Sequence, residues 1–162
     1  MNKHPKRKNA RLSDFDYSSD GVYFVTICTK DKTKIFWQNN TQKEYPECLS
    51  QYGKIAYNAI EKIPLIYSFS ELVAFVVMPN HMHLLIKIEA EQVDKSGRMI
   101  SAPTKSLATI VGQLKRAISI EIGHPVWQKS YYDHIVRDEN DLLTKWKYIS
   151  ENPLRWNLDE YF

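Results

Sequence analysis

The chain has 162 residues, 43% of them hydrophobic and 25% charged, with a net charge of +3. That suits one domain with a buried core and excludes disordered or fibrous classes. Two lone cysteines, Cys28 and Cys48, exclude a disulfide framework, and with no membrane-length apolar run and no signal peptide a soluble, cytoplasmic protein is expected.

The chain opens on a basic arm, residues 1–20. From Met1 to Arg11 the residues Lys3, Lys6, Arg7, Lys8 and Arg11 meet no acid. Such an arm is either a solvated tail or a strap for phosphates. Residues 22–28, rich in β-branched and aromatic side chains, read as a strand, and 34–37 as a short pairing partner. Tyr52, Ile55, Ala56, Ala59, Ile60 and Ile63 fall at helical spacing, and Pro64 marks that helix's end. Residues 72–78 and 81–88 read as two strands joined by Pro79-Asn80. Both are apolar on both faces, which predicts central places in a sheet. Residues 90–104 are polar and unpatterned, a long loop. Leu107, Ile110, Val111, Leu114 and Ile118 form the stripe of a second long helix over 106–122. A strand at 131–136 follows, then a last helix from about 139 to 151, capped by Asp138 and stopped by Pro153. The order predicts an α+β, ferredoxin-like βαββαβ fold. Its antiparallel sheet has helices on one face and an open face for a site, plus one extra C-terminal helix. The whole of 1–162 reads as a single domain.

Val77-Met78-Pro79-Asn80-His81-Met82-His83-Leu84 is the most informative segment. Alternate side chains of a strand share a face, so His81 and His83 point the same way. Two imidazoles side by side can hold a divalent metal. Alone, such a pair is more often a surface or satisfied core feature. The last helix adds a second signal. Its apolar stripe reads as Leu142, Trp146 and Ile149, with Leu143 at the margin. Tyr148 lies about 130° from the centre of that stripe and shares a face with Asp141, Lys145 and Asn152. Asn152 is one turn beyond Tyr148. It is either an oxygen ligand or a helix cap. Two imidazoles, an oxygen ligand and a phenol make a chemical set. A phenol with a reference pKa near 10 is a weak nucleophile, and a cation on the phosphate oxygens would assist it.

On these residues the chain resembles the REP-associated tyrosine transposases, among the single-tyrosine HUH (His-hydrophobic-His) transposases. The resemblance spans nearly the whole chain. It includes Arg11-Leu12, the run from Phe15 to Ser18, and the strand from Gly21 to Thr29. It continues through Phe75-Val76-Val77-Met78-Pro79-Asn80-His81-Met82-His83, Ser106-Leu107 and Ile110-Val111-Gly112-Gln113-Leu114-Lys115. Val126-Trp127-Gln128-Lys129, the run from Tyr131 to Arg137, Tyr148-Ile149 and Asn152-Pro153 complete it. The resemblance implies a metal-dependent single-strand DNA endonuclease and strand-transferase acting on palindromic hairpins. Tyr148 would form a 5′-phosphotyrosine, and His81, His83 and Asn152 would bind Mg²⁺ or Mn²⁺. Related transposases carry Gln at the third ligand position.

Lys6, Arg7, Lys8, Arg11, Lys115, Arg116, Arg137 and Lys145 are then candidate phosphate contacts or, equally, solvated surface. His134 is open to DNA-contacting and to packing or surface readings. Tyr131, Tyr132, Trp127, Trp146 and Trp156 read as packing residues, although an exposed aromatic would be free to stack on a base. The expected partner is single-stranded or hairpin DNA, with no membrane and no nucleotide cofactor, the chain being a monomer or homodimer. The alternatives are a non-catalytic nucleic-acid-binding ferredoxin-like domain that uses an open sheet, and a metallonuclease in which water attacks.

Overall fold

The computed structural model describes residues 20–39, 43–89 and 106–158. Lys6, Arg7, Lys8 and Arg11 of the basic arm, and the polar stretch at 90–104, lie outside them. Strand β1 spans Gly21–Cys28, followed by a 3-10 turn at Lys30–Lys32. Helix α1 spans Gln51–Glu61 and α2 Ile63–Ile66. Strands β2 (Ser70–Val77) and β3 (His81–Ile88) form the hairpin. Helix α3 (Leu107–Ile122), β4 (Tyr132–Val136) and α4 (Glu139–Glu151) complete the order, with a 3-10 turn at Asn152–Leu158.

Local chemistry explains these boundaries. Ser50, Ser106 and Asp138 stand at the N-caps of the three long helices. Each side chain accepts a hydrogen bond from the backbone N–H three residues on. Gly123 ends α3 in the left-handed region at φ 95°, where a side chain would be strained. Pro64 does not simply end α1. It sits in the first turn of α2, where its missing N–H costs no helical bond. Pro153 likewise lets the chain tighten into a 3-10 turn instead of stopping it. The predicted short strand at 34–37 is reduced to a single bridge, Trp37 to Leu49.

The strands form one antiparallel sheet in the order β2-β3-β1-β4. This is the α+β, ferredoxin-like arrangement that the sequence predicts. Strand β3 is central and almost wholly buried on both faces. Leu84 and Leu85, on opposite faces, are both 0% exposed, and burying each contributes about 1.5–3 kcal/mol. Strand β2 is an edge strand, contrary to the reading of both hairpin strands as central. Its apolar residues on both faces are explained by helices on both sides, α1 and α2 on one and α4 on the other.

That corrects the prediction of helices on one face only. Tyr23, Val25, Ile27, Met82, Leu84 and Ile86 pack with α1 and α3 in the main core. The alternate positions Val22, Phe24, Val76 and Leu85 face the other way and pack with Leu142 and Ile149 of α4. Alternation along β3 puts His81 and His83 on this second face, beneath α4.

Candidate metal and nucleophile site

Strand pairing aligns the site. His83 stands opposite Thr26 of β1 and Val76 of β2, while His81 stands opposite Cys28. Both histidines are buried, at 0% and 1% exposure. Their Nε2 atoms converge to 3.0 Å. Each Nδ1 is held from behind by a side-chain oxygen. His81 Nδ1 lies 2.8 Å from Asn80 Oδ1, and His83 Nδ1 lies 2.8 Å from Thr26 Oγ1. Asn80 Nδ2 donates to the Lys32 carbonyl at 3.4 Å, which leaves Oδ1 facing the imidazole as an acceptor. With Oδ1 as the acceptor, a proton on His81 Nδ1 leaves a lone pair at Nε2. The Thr26 hydroxyl both donates and accepts, so it serves either tautomer of His83. Burial, then the neighbouring His81, then Lys145, hold the His83 pKa well below the usual histidine range. A neutral imidazole is the form that binds a metal.

This donor set fits the cation that the resemblance implies. Two cis ligands about 2.1 Å from an octahedral ion lie about 3.0 Å apart, and the two nitrogens already have that separation. Oxygen anchors behind both ring nitrogens are the usual support of metal-binding histidines. Among the described residues no cluster of three His, Cys, Asp or Glu side chains adds a stronger ligand set. Imidazole nitrogen is a borderline donor, so the pair favours Mn²⁺ over the harder Mg²⁺, while an amide oxygen and the positions left for water and phosphate oxygens suit either ion.

Asn152 is 3% exposed, and its Nδ2 has no hydrogen-bond partner among the described residues. Its backbone is right-handed helical (φ −57°, ψ −42°), not the left-handed form of an Asn cap. An amide turned through 180° would put its carbonyl oxygen where the orphaned nitrogen stands. Residues on either side of it in the chain locate it. Tyr148, one α-helical turn earlier, has its ring 5.2 Å from that of His83. Trp156, further along the 3-10 turn, has its ring 5.9 Å from that of His81.

The face of α4 that meets the sheet differs from the one read as its apolar stripe. Ile149 is buried, and Leu142, Lys145 and Tyr148 are half-buried, while Leu143 and Trp146 are 57% and 49% exposed. Trp146 is therefore not a core residue, and Tyr148 is not turned away from the packed face. The physical reason lies in the sheet. Its second face carries His83, His81 and Thr26, so a polar helix face packs on it. Phe24 fills the space between the helix and the histidines. Its ring stacks on His83 at 5.1 Å, meets Tyr148 edge-on at 5.9 Å, and lies 5.0 Å from the Lys145 ammonium.

The remaining candidates are spread more widely. His134 Nε2 bonds Asp141 Oδ2 at 2.7 Å and ties β4 to α4. That bond, then the Arg137 backbone N–H, hold the Asp141 carboxyl below its usual range. Arg137 is exposed beside this link. Lys115 Nζ donates to the carbonyls of Gln128 and Ser130, at 2.7 and 3.3 Å, and so secures the loop before β4. Lys115 and the exposed Arg116 belong to α3, across the sheet from α4. Tyr131 packs against the main core as predicted. Tyr132 instead is 44% exposed and lies opposite Thr26, on the histidine face. Sequence reading missed Thr26, Phe24 and the role of Asn80. The visible signals were a threonine inside an apolar strand and an amide directly before the first histidine.

No family model matches the chain. It is 31% identical over 170 residues to an uncharacterized protein of Haemophilus influenzae, covering 96% of this chain and 93% of that one. A second Haemophilus influenzae protein, described as a "Putative REP-associated tyrosine transposase", is 26% identical over 145 residues, 86% of this chain and 74% of that one. The solved structure of a REP-associated tyrosine transposase bound to a REP hairpin shares the fold. Its TM-score is 0.60 at 18% identity, covering 92% of this chain and 77% of that chain. Fold and site thus define an antiparallel α+β domain with a histidine pair on one sheet face and a helix packed across it. The chain belongs to one family with the first Haemophilus protein, and its resemblance to the REP-associated tyrosine transposases holds in sequence and in fold.

Proposed function

We propose that this chain is a transposase-like, DNA-processing enzyme, a divalent-metal-dependent endonuclease and strand transferase that works through a 5′-phosphotyrosine at Tyr148. The observation that carries the reading is the convergence of two anchored imidazoles, with Nε2 atoms 3.0 Å apart, beneath the helix face that bears Tyr148. The substrate class is single-stranded or hairpin DNA, as suggested by kinship with a protein solved on a REP hairpin. No nucleotide cofactor enters the reaction.

His81, His83 and Asn152 would hold Mg²⁺ or Mn²⁺, which when bound supplies Lewis-acid stabilisation of charge on the phosphate oxygens. The chain's own residues do the rest. Asn80 and Thr26 fix the two imidazoles before substrate arrives, so little reorganisation is needed. The Tyr148 oxygen attacks phosphorus and loses its proton. The bond from phosphorus to the 3′ oxygen breaks, and that oxygen leaves and takes up a proton. The 5′ phosphate stays on the tyrosine. No water is consumed, so attack by a 3′-hydroxyl reverses the step and rejoins the strand. Lys145 adds positive charge beside Phe24 and His83, favouring the negative charge that develops there. A non-catalytic domain of the open-sheet kind would need an exposed sheet face, and α4 lies across this one.

Incubation with Mn²⁺ and a labelled hairpin oligonucleotide tests the reading. A labelled band at the protein's position on a denaturing gel is the expected result. Cleavage without such a band makes water the nucleophile. Hairpin binding without cleavage returns the chain to the non-catalytic class.

A further inference from the structure

Three residues of β4 lie on the histidine face. They are Val136, His134 and Tyr132, opposite Val22, Phe24 and Thr26 of β1. Val136 packs in the second core, and His134 is held by Asp141 of α4. Helix α4 packs chiefly on β2 and β3. Tyr132, at the start of the edge strand, is 44% exposed. Strand register places it in one row with the site. Val76, His83, Thr26 and Tyr132 stand side by side across β2, β3, β1 and β4. Neighbouring strands are about 4.8 Å apart, so the Tyr132 backbone lies about 10 Å from that of His83 along the row. Thr26, the residue between them, is short and bonded to His83 Nδ1 at 2.8 Å. No long side chain of the row separates the imidazole from the phenol ring.

A phosphate held at the histidine pair carries its base within one nucleotide's reach, and the row spans about that reach. A base taken out of its stack loses its neighbours on both faces. An open aromatic ring restores one of them, whatever the base, because every base has a π-face. We propose that Tyr132 is a stacking platform for the unpaired base beside the scissile phosphate. The contact uses the ring of Tyr132 and not its hydroxyl. A paired base stays in its stack and gains nothing there, so the platform selects single-stranded DNA at the site. This rests on the proposed function and adds to it the residue that receives the base.

The test separates the ring from the hydroxyl and the platform from the chemistry. Tyr132→Val removes the ring and suits an edge strand, while Tyr132→Phe keeps the ring. Both are made in the full chain carrying Tyr148→Phe, and thermal melts check the fold. Tyr132→Leu serves the same comparison where the valine variant melts early. Affinity is measured by fluorescence anisotropy, with chelator present, for a hairpin with and without a single-stranded extension. Tyr132→Val should bind the extended hairpin about tenfold more weakly and the bare hairpin as the parent does. Tyr132→Phe should retain the parent's affinity for both. An abasic site moved along the extension should weaken the parent at one position, and at that position Tyr132→Val should cost nothing more. Equal affinity of the valine variant and the parent for the extended hairpin would overturn the platform. So would an equal loss on the bare hairpin, or a loss shared by Tyr132→Phe. A ring-dependent loss in a chain whose wild type forms no protein–DNA adduct would keep the platform and remove the proposed chemistry.

Discussion

Replacing Thr26 with valine removes one oxygen from behind His83. Thr26 is 3% exposed, and its Oγ1 lies 2.8 Å from His83 Nδ1. Valine keeps the shape and the β-branch, so the pairing of β1 with β3 should persist. The loss falls on a buried ring nitrogen left without a partner, at a cost of about 1–3 kcal/mol. For a chain of this size each kcal/mol moves Tm by about 2–4 °C, so a drop of about 2–12 °C is expected. The second effect is larger for function. Without its anchor the imidazole no longer aims Nε2 at its partner, and loss of such an outer hydrogen bond weakens metal binding about 10–100-fold. Calorimetric titration with Mn²⁺ reads this directly, and a thermal melt reads the first effect. A lowered Tm with unchanged Mn²⁺ affinity would refute the reasoning, because Thr26 would then support the fold and not a metal ligand.

Other outcomes follow from the same geometry. His81→Ala and His83→Ala should each abolish hairpin cleavage while leaving hairpin binding largely intact, and chelation should reproduce the loss; full cleavage by the double variant would remove the pair from the chemistry. Asn152→Ala deletes an amide whose nitrogen has no partner among the described residues, so apparent metal affinity should fall with little change in Tm, and the reverse pattern would mark Asn152 as structural. Asp141, held below the usual carboxylate range by His134, stabilises the fold above the unfolded carboxylate pKa, and that contribution fades as pH falls through the lowered value. The Tm difference between wild type and Asp141→Asn should therefore be fully developed above about pH 5 and shrink below about pH 4; a difference unchanged between about pH 5 and about pH 3 would contradict the link.

Much of the fold was legible because its signals are local. The Asp138 cap set the start of α4, the Pro79-Asn80 turn set the hairpin, and the stripe from Leu107 to Ile118 set α3. The histidine pair was legible because strand alternation is also local. The orientation of α4 was not. A hydrophobic stripe identifies the buried face only when the partner surface is apolar, and here that surface carries the site. The stripe alone therefore puts Trp146 in the core and Tyr148 outside, whereas Trp146 is half exposed and Tyr148 lies against His83. The polar neighbours Lys145 and Asn152 are what single out Tyr148 in the sequence, and they do share its packed face. Thr26 and Trp156 depend on long-range register and helix docking, which no spacing within a segment reveals.

The most direct measurement is peptide mapping by mass spectrometry of the protein after reaction with Mn²⁺ and hairpin DNA. The account predicts a nucleotide phosphodiester on Tyr148 and on no other residue, and no adduct from the Tyr148→Phe protein although it still binds the hairpin. An adduct on Tyr132 or Tyr131, or one that survives Tyr148→Phe, would contradict it.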